Sequence, residues 1–452
     1  MKWTRQFIKW LLLLLLGVII LFLLNIAWHR LRGPTADEQA ALELVEVPYV
    51  APQGRNAFAT LWLFAKDVPD TDFERLAARD VEYVRSNLSL TGEELQFPSN
   101  ELPDLDVPDA RSTALCEDTP ESCLATVREN PESTREALAR HDRLLQRAVA
   151  IEDHEYLHND FPPVLSMAVT TTVHSRLPQR LRTSQLALMF VDGMHEQALA
   201  GVCRNLSTWR RFGRDNRSLV QTMLAASRRD ADIALLADML AEMDAAKPLP
   251  ADCDAALVPV VAGEVSLCSA MIGEFAYIDD LLDPLVSTGK DSAQKGWLER
   301  NTQPLVFDAS RVRAWRARET EAYCKAEDAT QALEDRLPVR PPLEIDWFDC
   351  QANKVGCILT RIGAPEFNEY HERLLDSAAH LRLAATLVWL RETEGNGQSL
   401  QQRFDARPDH LRTGSRPTGI SEDGRSIWVE NLYTRRSARF SLPLATKTEY
   451  TP

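Results

Sequence analysis

The sequence predicts a mainly α protein: an N-terminal transmembrane helix, an ectodomain of helical hairpins or a helical bundle, and a small C-terminal β-meander. Three observations predict it. Trp10 to Trp28 is one apolar run broken only by Asn25. Between residues 133 and 395, apolar side chains recur at helical spacing. Past Gly395, short β-branched and aromatic stretches flank Asp423-Gly424, a hairpin turn signal.

The apolar run comes first. As a helix its residues rise about 28 Å, close to the hydrocarbon thickness of a bilayer. Its core, Trp10 to Leu24, is long for a signal peptide, and the exit Asn25-Ile26-Ala27-Trp28-His29-Arg30 lacks the small residues a signal cleavage site needs. An uncleaved anchor is therefore expected. Trp10 and Trp28 stand near its ends, where indole rings favour the interface. Lys2, Arg5 and Lys9 precede the span and Arg30 and Arg32 follow it, which favours a cytoplasmic N-terminus. The remaining chain would then lie outside the cytoplasm, in a bacterial host in the periplasm.

Character changes along the chain divide it into a cytoplasmic tail (1–9), the transmembrane helix (10–28), an acidic juxtamembrane region with short helices and a Pro-rich loop (29–132), a helical domain (133–395) and a C-terminal region with short strands (396–452). Within the acidic region, residues 36 to 135 hold 21 Asp plus Glu against 8 Lys plus Arg, a net of −13 out of −15 for the chain. Such a surface repels anionic lipid and nucleic acid alike, so no nucleic-acid partner is expected. Asn56 to Phe64 and Thr71 to Arg85 read as short helices. Five prolines between 98 and 131 mark the loop.

After Pro131, Ser133-Thr134-Arg135-Glu136 fits a capping box. Ala137, His141, Leu144, Ala148 and Ile151 continue at helical spacing until Pro162 and Pro163. Ser184 to Val191 and His195 to Arg211 read as a hairpin turning at Asp192-Gly193. Ser218 to Ala226 and Asp230 to Met243 read as a second, carrying the stripe Ile233, Leu236, Leu240 and Met243. The two superimpose at an offset of 34 residues, Ser184 on Ser218, Met189 on Met223 and Leu206 on Leu240. That period, with Gly193 followed by Ala198-Leu199, resembles tetratricopeptide repeats. A plain helical bundle accounts for the same pattern. Further helix is expected over 252–285, 309–334 and 364–393. Ile427-Trp428-Val429 and Phe440-Ser441-Leu442 supply the strands. This order of parts, with Ala198 to Arg211 and Met223 to Leu240, resembles single-pass bacterial inner-membrane proteins of unassigned function. The resemblance implies a location and an architecture but no reaction.

Eight cysteines fit an oxidising compartment. Cys116 with Cys123 and Cys350 with Cys357 would close short local loops. Cys203, Cys253, Cys268 and Cys324 have no evident connectivity. On one straight helix Cys253 and Cys268 would lie about 22 Å apart, beyond bridging distance unless Pro259 and Gly263 break the helix.

The sharpest chemical motif is His154-Glu155-Tyr156-Leu157-His158, which fits the HExxH pattern of zinc metallopeptidases. On a helix, histidines at i and i+4 share a face and bind one zinc, and the glutamate acts as general base. His154 and His158 are thus the candidate zinc ligands and Glu155 the candidate base, with His174, His195 or Glu196 as a third ligand. Against this, Glu152 and Asp160 place charges at the flanks, and Pro162 ends the helix soon after. Two histidines in a last helical turn, favoured by the helix dipole, are the competing explanation. Ser292-Ala293-Gln294-Lys295 fits SxxK, but no KTG or SDN accompanies it. Asp230-Ala231-Asp232 is expected to cap a helix rather than act as a DxD site. Asn87-Leu88-Ser89, Asn205-Leu206-Ser207 and Asn216-Arg217-Ser218 match the glycosylation sequon. No GxSxG, Walker A or GxGxxG motif occurs.

The functional expectation is a membrane-anchored extracytoplasmic helical protein that binds another envelope protein or serves structurally, without catalysis or cofactor. The alternative is a membrane-tethered zinc hydrolase at 154–158.

Overall fold

The computed structural model describes residues 2–88, 95–109, 112–117, 122–164, 167, 176–286, 307–362, 367–394, 397–414, 416–435 and 437–445. The chain is mainly helical with one three-stranded antiparallel sheet, as its sequence predicts. It forms two compact units, each assembled from distant segments.

The first unit takes residues 1–49, 275–323 and 339–367. Its first helix, α1 (Lys2–Leu31), is longer than the apolar run and carries the basic residues before it. An 18-residue window within it is apolar enough to cross a membrane, and none of that window is buried. Thr35 then caps α2 (Ala36–Val45) through a capping box with Glu38. The chain returns to this unit through later helices, so α2 packs on a partner some 270 residues away.

The second unit takes residues 50–274, 324–338 and 368–452. Its early helices are α3 (Phe58–Trp62) and α4 (Phe73–Ser86), both where the sequence predicts them. Next come α5 (Cys123–Glu129), α6 (Pro131–Arg140) and α7 (Asp142–Ala150). The single helix expected from Ser133 is thus two. Pro131 opens α6, Ser133 does not cap it, and Thr134 instead donates to the Ala114 carbonyl at 2.9 Å. The break falls at His141, whose buried ring bonds the Asp106 carbonyl.

The centre of this unit is α8 (Arg176–Val191), α9 (His195–Gly213) and α10 (Leu219–Glu242). Gly193, at φ +86°, makes the predicted turn between α8 and α9. The predicted second hairpin does not form, because α10 runs straight through Ala226 to Asp230. Thirty-four residues after Gly193 stands Ser227, which has no ready access to the left-handed turn. The tetratricopeptide-like repeat ends there. Leu181, Leu186, Leu199, Val202, Leu206 and Leu236 fill the core between these helices.

The helix expected over 252–285 is three pieces, α11 (Ala251–Ala256), α12 (Ala262–Val265) and α13 (Cys268–Val286). The one expected over 309–334 is two, α14 (Ala309–Glu321) and α15 (Ala326–Leu333). α14 is the helix on which α2 packs. Then follow α16 (Trp347–Ala352), α17 (Lys354–Ile362), the long α18 (Phe367–Glu392) and α19 (Leu400–Asp405). Strands β1 (Thr418–Ile420), β2 (Ser426–Glu430) and β3 (Arg439–Pro443) form the meander, with Ile420 opposite Ile427 and Ile427 opposite Leu442. Gly424, at φ +68°, closes the first turn.

All eight cysteines stand in bonded pairs. Cys116–Cys123 and Cys350–Cys357 are the local loops, and Cys203–Cys253 and Cys268–Cys324 tie segments 50 and 56 residues apart. Cys253 and Cys268 lie on different helices, so the straight-helix distance does not apply.

Candidate functional site

The HExxH residues are not on a helix. α7 ends at Ala150, a single 3-10 turn covers Ile151–Asp153, and His154 has extended backbone. Four residues of extended chain separate Cα atoms by up to about 13 Å, against about 6 Å on a helix. The shared helix face that the zinc motif needs is therefore absent. The dipole explanation fails for the same reason, since neither histidine lies in a helical turn.

What holds this segment is residues 54–57. The Ala57 N–H donates to the Tyr156 carbonyl at 2.9 Å and the Glu155 N–H to the Arg55 carbonyl at 3.1 Å. The Asn56 amide donates to the His158 carbonyl and accepts from its N–H, both at 2.9 Å. Of the proposed catalytic side chains, Glu155 is bonded to this strap and His154 to residues beside it. Glu155 accepts from the Arg55 N–H at 2.6 Å, which holds its carboxyl below the usual range. The His154 ring is buried, which lowers its proton affinity, and it bonds Thr60 Oγ1 at 3.2 Å and the Ala150 carbonyl at 3.1 Å. Burial, aided by the Arg217 charge, pushes His158 down to about 4. His195 and Glu196 open α9, where His195 stacks on Phe190. His174 and the SxxK residues Ser292 to Lys295 lie outside the described residues. Among the described residues, no three His, Cys, Asp or Glu side chains are grouped to hold a metal ion. The carboxylate that would act as base is therefore tied to a backbone N–H, and both imidazoles are largely buried.

Beside the strap, Phe58, Leu61, Trp62, Leu157, Trp209, Gln221 and Leu224 line an apolar cavity of about 20 Å³. That is room for a water molecule and far below a substrate pocket. No family model, curated protein or solved structure matches this chain.

The structure also builds a polar centre that hydrophobic patterning does not reveal. Asp232, fully buried on α10, accepts from Gln179 Nε2 at 2.8 Å and from Asn205 Nδ2 at 2.9 Å. Trp209 Nε1 donates to Gln179 Oε1 at 2.7 Å. Desolvation outweighs the bonds to the carboxylate and pushes Asp232 up to about 7. The Asp230-Ala231-Asp232 motif thus lies inside a helix and caps nothing. Asp230 faces His380 at 3.1 Å. Of the sequon asparagines, Asn205 and Asn216 are buried, Asn216 bonding the Leu157 and Phe212 carbonyls at 2.9 Å, and the partly exposed Asn87 donates to the Tyr83 carbonyl at 2.8 Å. Asn205 and Asn216 are internal ties rather than glycan acceptors.

Buried arginines perform similar work. Arg147 donates to Asp70 and to the carbonyls of Phe64, Lys66 and Val68. Arg210 is bidentate to Glu264, which its charge and hydrogen bonds hold ionised despite burial. Arg416 bridges Asp335 and Asp376. These sites satisfy loop carbonyls and fix helix packing, and each is already filled by protein groups.

Proposed function

We propose that this chain is a single-pass membrane protein whose extracytoplasmic helical part binds another envelope protein and carries out no catalysis. The observation that carries the reading is α1. A long apolar helix whose membrane-crossing window is wholly exposed needs a bilayer around it. Four disulfides fit a compartment outside the cytoplasm, and the small basic excess before the span favours a cytoplasmic N-terminus in a bacterial inner membrane. The absence of catalysis at 154–158 is supported by the backbone N–H that occupies Glu155 and by the burial of the His154 ring.

The test uses the full chain in its own membrane, with photo-crosslinking residues at exposed positions of either unit. The reading expects one protein adduct to recur from neighbouring positions. Folded, disulfide-bonded, membrane-inserted protein giving no recurrent adduct would remove the binding role. Cysteines found reduced in cells would remove the extracytoplasmic location.

A further inference from the structure

The two helices α16 and α17 carry their apolar residues outward. On α17, Val355, Ile358 and Leu359 follow helical spacing and are exposed, while Asn353, Gly356 and Thr360 face inward. Just before them, Trp347 and Phe348 are 65% and 58% exposed. A helix packed on a protein core in water shows the opposite arrangement. The Cys350–Cys357 bond joins the two helices, so this apolar face is held as one piece.

Its position relative to α1 says what covers it. Asn25, the one polar residue in the apolar run, donates from its side chain to the Phe348 carbonyl at 3.1 Å. One turn later His29 pairs with Asp349, and Arg32 reaches the same carboxylate at 3.2 Å. Asn25 lies fifteen residues past Trp10, about 22 Å along the helix, within a hydrocarbon layer of about 30 Å. Asn25 and the Phe348 carbonyl therefore lie just inside the layer, and His29, about 28 Å along the helix, places its partner Asp349 at the depth where acyl chains meet headgroups. Indole and phenyl rings favour that depth, and the exposed cations Lys354 and Arg361 flank the stripe where lipid phosphates would stand.

We propose that the disulfide-closed α16–α17 pair inserts its apolar face into the outer boundary of the bilayer that α1 crosses, giving the protein a second membrane contact of the interfacial type. This rests on the reading of α1 as a membrane anchor. The contact also explains Asn25, whose side chain is satisfied by protein at a depth where water is scarce. Two contacts on one rigid unit hold that unit at a fixed height and tilt, which a lone tether does not do.

The experiment places a photo-crosslinking residue at position 14, 347, 358 or 423 of the full chain, in phospholipid nanodiscs, and reads adducts by mass spectrometry. Position 14 reports the anchor, and position 423, on the sheet's first turn, sets the background. The proposal expects phospholipid adducts at 347 and 358 several-fold above position 423 and comparable to position 14. Lipid at 14 with only background at 347 and 358 overturns the interfacial contact and leaves the anchor standing. Background at position 14 removes the anchor itself. Protein adducts in place of lipid at 347 and 358 also overturn the proposal, assigning the face to a second copy or another protein.

Discussion

Replacing Asp232 by Asn will remove a pH-dependent weakness in the core of the second unit. Burial pushes the Asp232 carboxyl up to about 7, against 3.8 for the ordinary side chain. The sign follows from proton binding. Above about pH 4 the unfolded chain releases this proton while the folded chain keeps it until about pH 7. Ionisation therefore favours the unfolded state, and stability falls as pH rises between those values and then levels. Each tenfold difference in proton affinity is worth about 1.4 kcal/mol, so the loss is on the order of 4 kcal/mol. An Asn side chain keeps the shape and accepts from Gln179 and Asn205 with its single oxygen, and it does not ionise. Denaturant unfolding of the full chain in detergent, with disulfides intact, measures both proteins near pH 4 and near pH 8. Tryptophan fluorescence follows unfolding, and Trp209, whose indole bonds Gln179, is one of its ten contributors. The stability difference between Asp232→Asn and wild type should shift in the variant's favour by about 4 kcal/mol from the lower pH to the higher. An equal difference at both pH values would refute the argument, because every other titrating group is common to the two proteins.

Four further outcomes can be measured. His158→Gln should remove an acid sensitivity of about 3 kcal/mol. The folded His158 stays neutral to about pH 4, so stability is lost as pH falls from about 6.5, where the unfolded histidine takes its proton. Metal analysis of the purified full chain should give the same zinc content for His158→Ala and wild type, and stoichiometric zinc lost in the variant would restore the hydrolase reading. Gly54→Ala should destabilise the strap by about 1–3 kcal/mol. Gly54 has φ +116°, and an added Cβ would stand 2.5 Å from Glu155 Cγ. Glu155 Cβ would stand 2.6 Å from the same added atom, so Glu155→Gly rather than Ala should recover the steric part and leave the backbone part, and a fully additive Gly54→Ala/Glu155→Gly double variant contradicts the contact. Opening Cys203–Cys253, whose partners are 50 residues apart, should cost about 4 kcal/mol, against about 2 for the seven-residue Cys116–Cys123 loop. Equal losses in thermal unfolding would count against loop closure as the source.

The features legible in the sequence are those set by a few neighbouring residues. The run from Trp10 to Trp28 makes an apolar helix long enough to cross a membrane whatever follows it. Asp192-Gly193 and Asp423-Gly424 turn the chain because glycine reaches positive φ at small cost. The short cysteine loops close at small entropic cost because only seven residues separate the partners. Where the same local logic overreached, a particular residue explains it. Ser227 has no glycine's freedom, so the second hairpin became one helix. His141 bonds a distant carbonyl, so one helix became two.

The HExxH pattern shows the limit most plainly. Its chemistry depends on a helix, and local spacing permits one up to Pro162. The backbone of residues 54–57, a hundred residues earlier, offers hydrogen bonds that an extended strap satisfies and a helix would not. The sequence by itself determined the apolar N-terminal helix, the helical class, the β-meander and the charge balance, because each follows from short-range periodicity and composition. Only the tertiary structure decided that Cys203 meets Cys253 and Cys268 meets Cys324, that Asp232 is a buried carboxyl, and that α17 turns its apolar stripe outward beside the end of α1. Those outcomes depend on which distant surfaces meet, and burial and desolvation exist only once they have met.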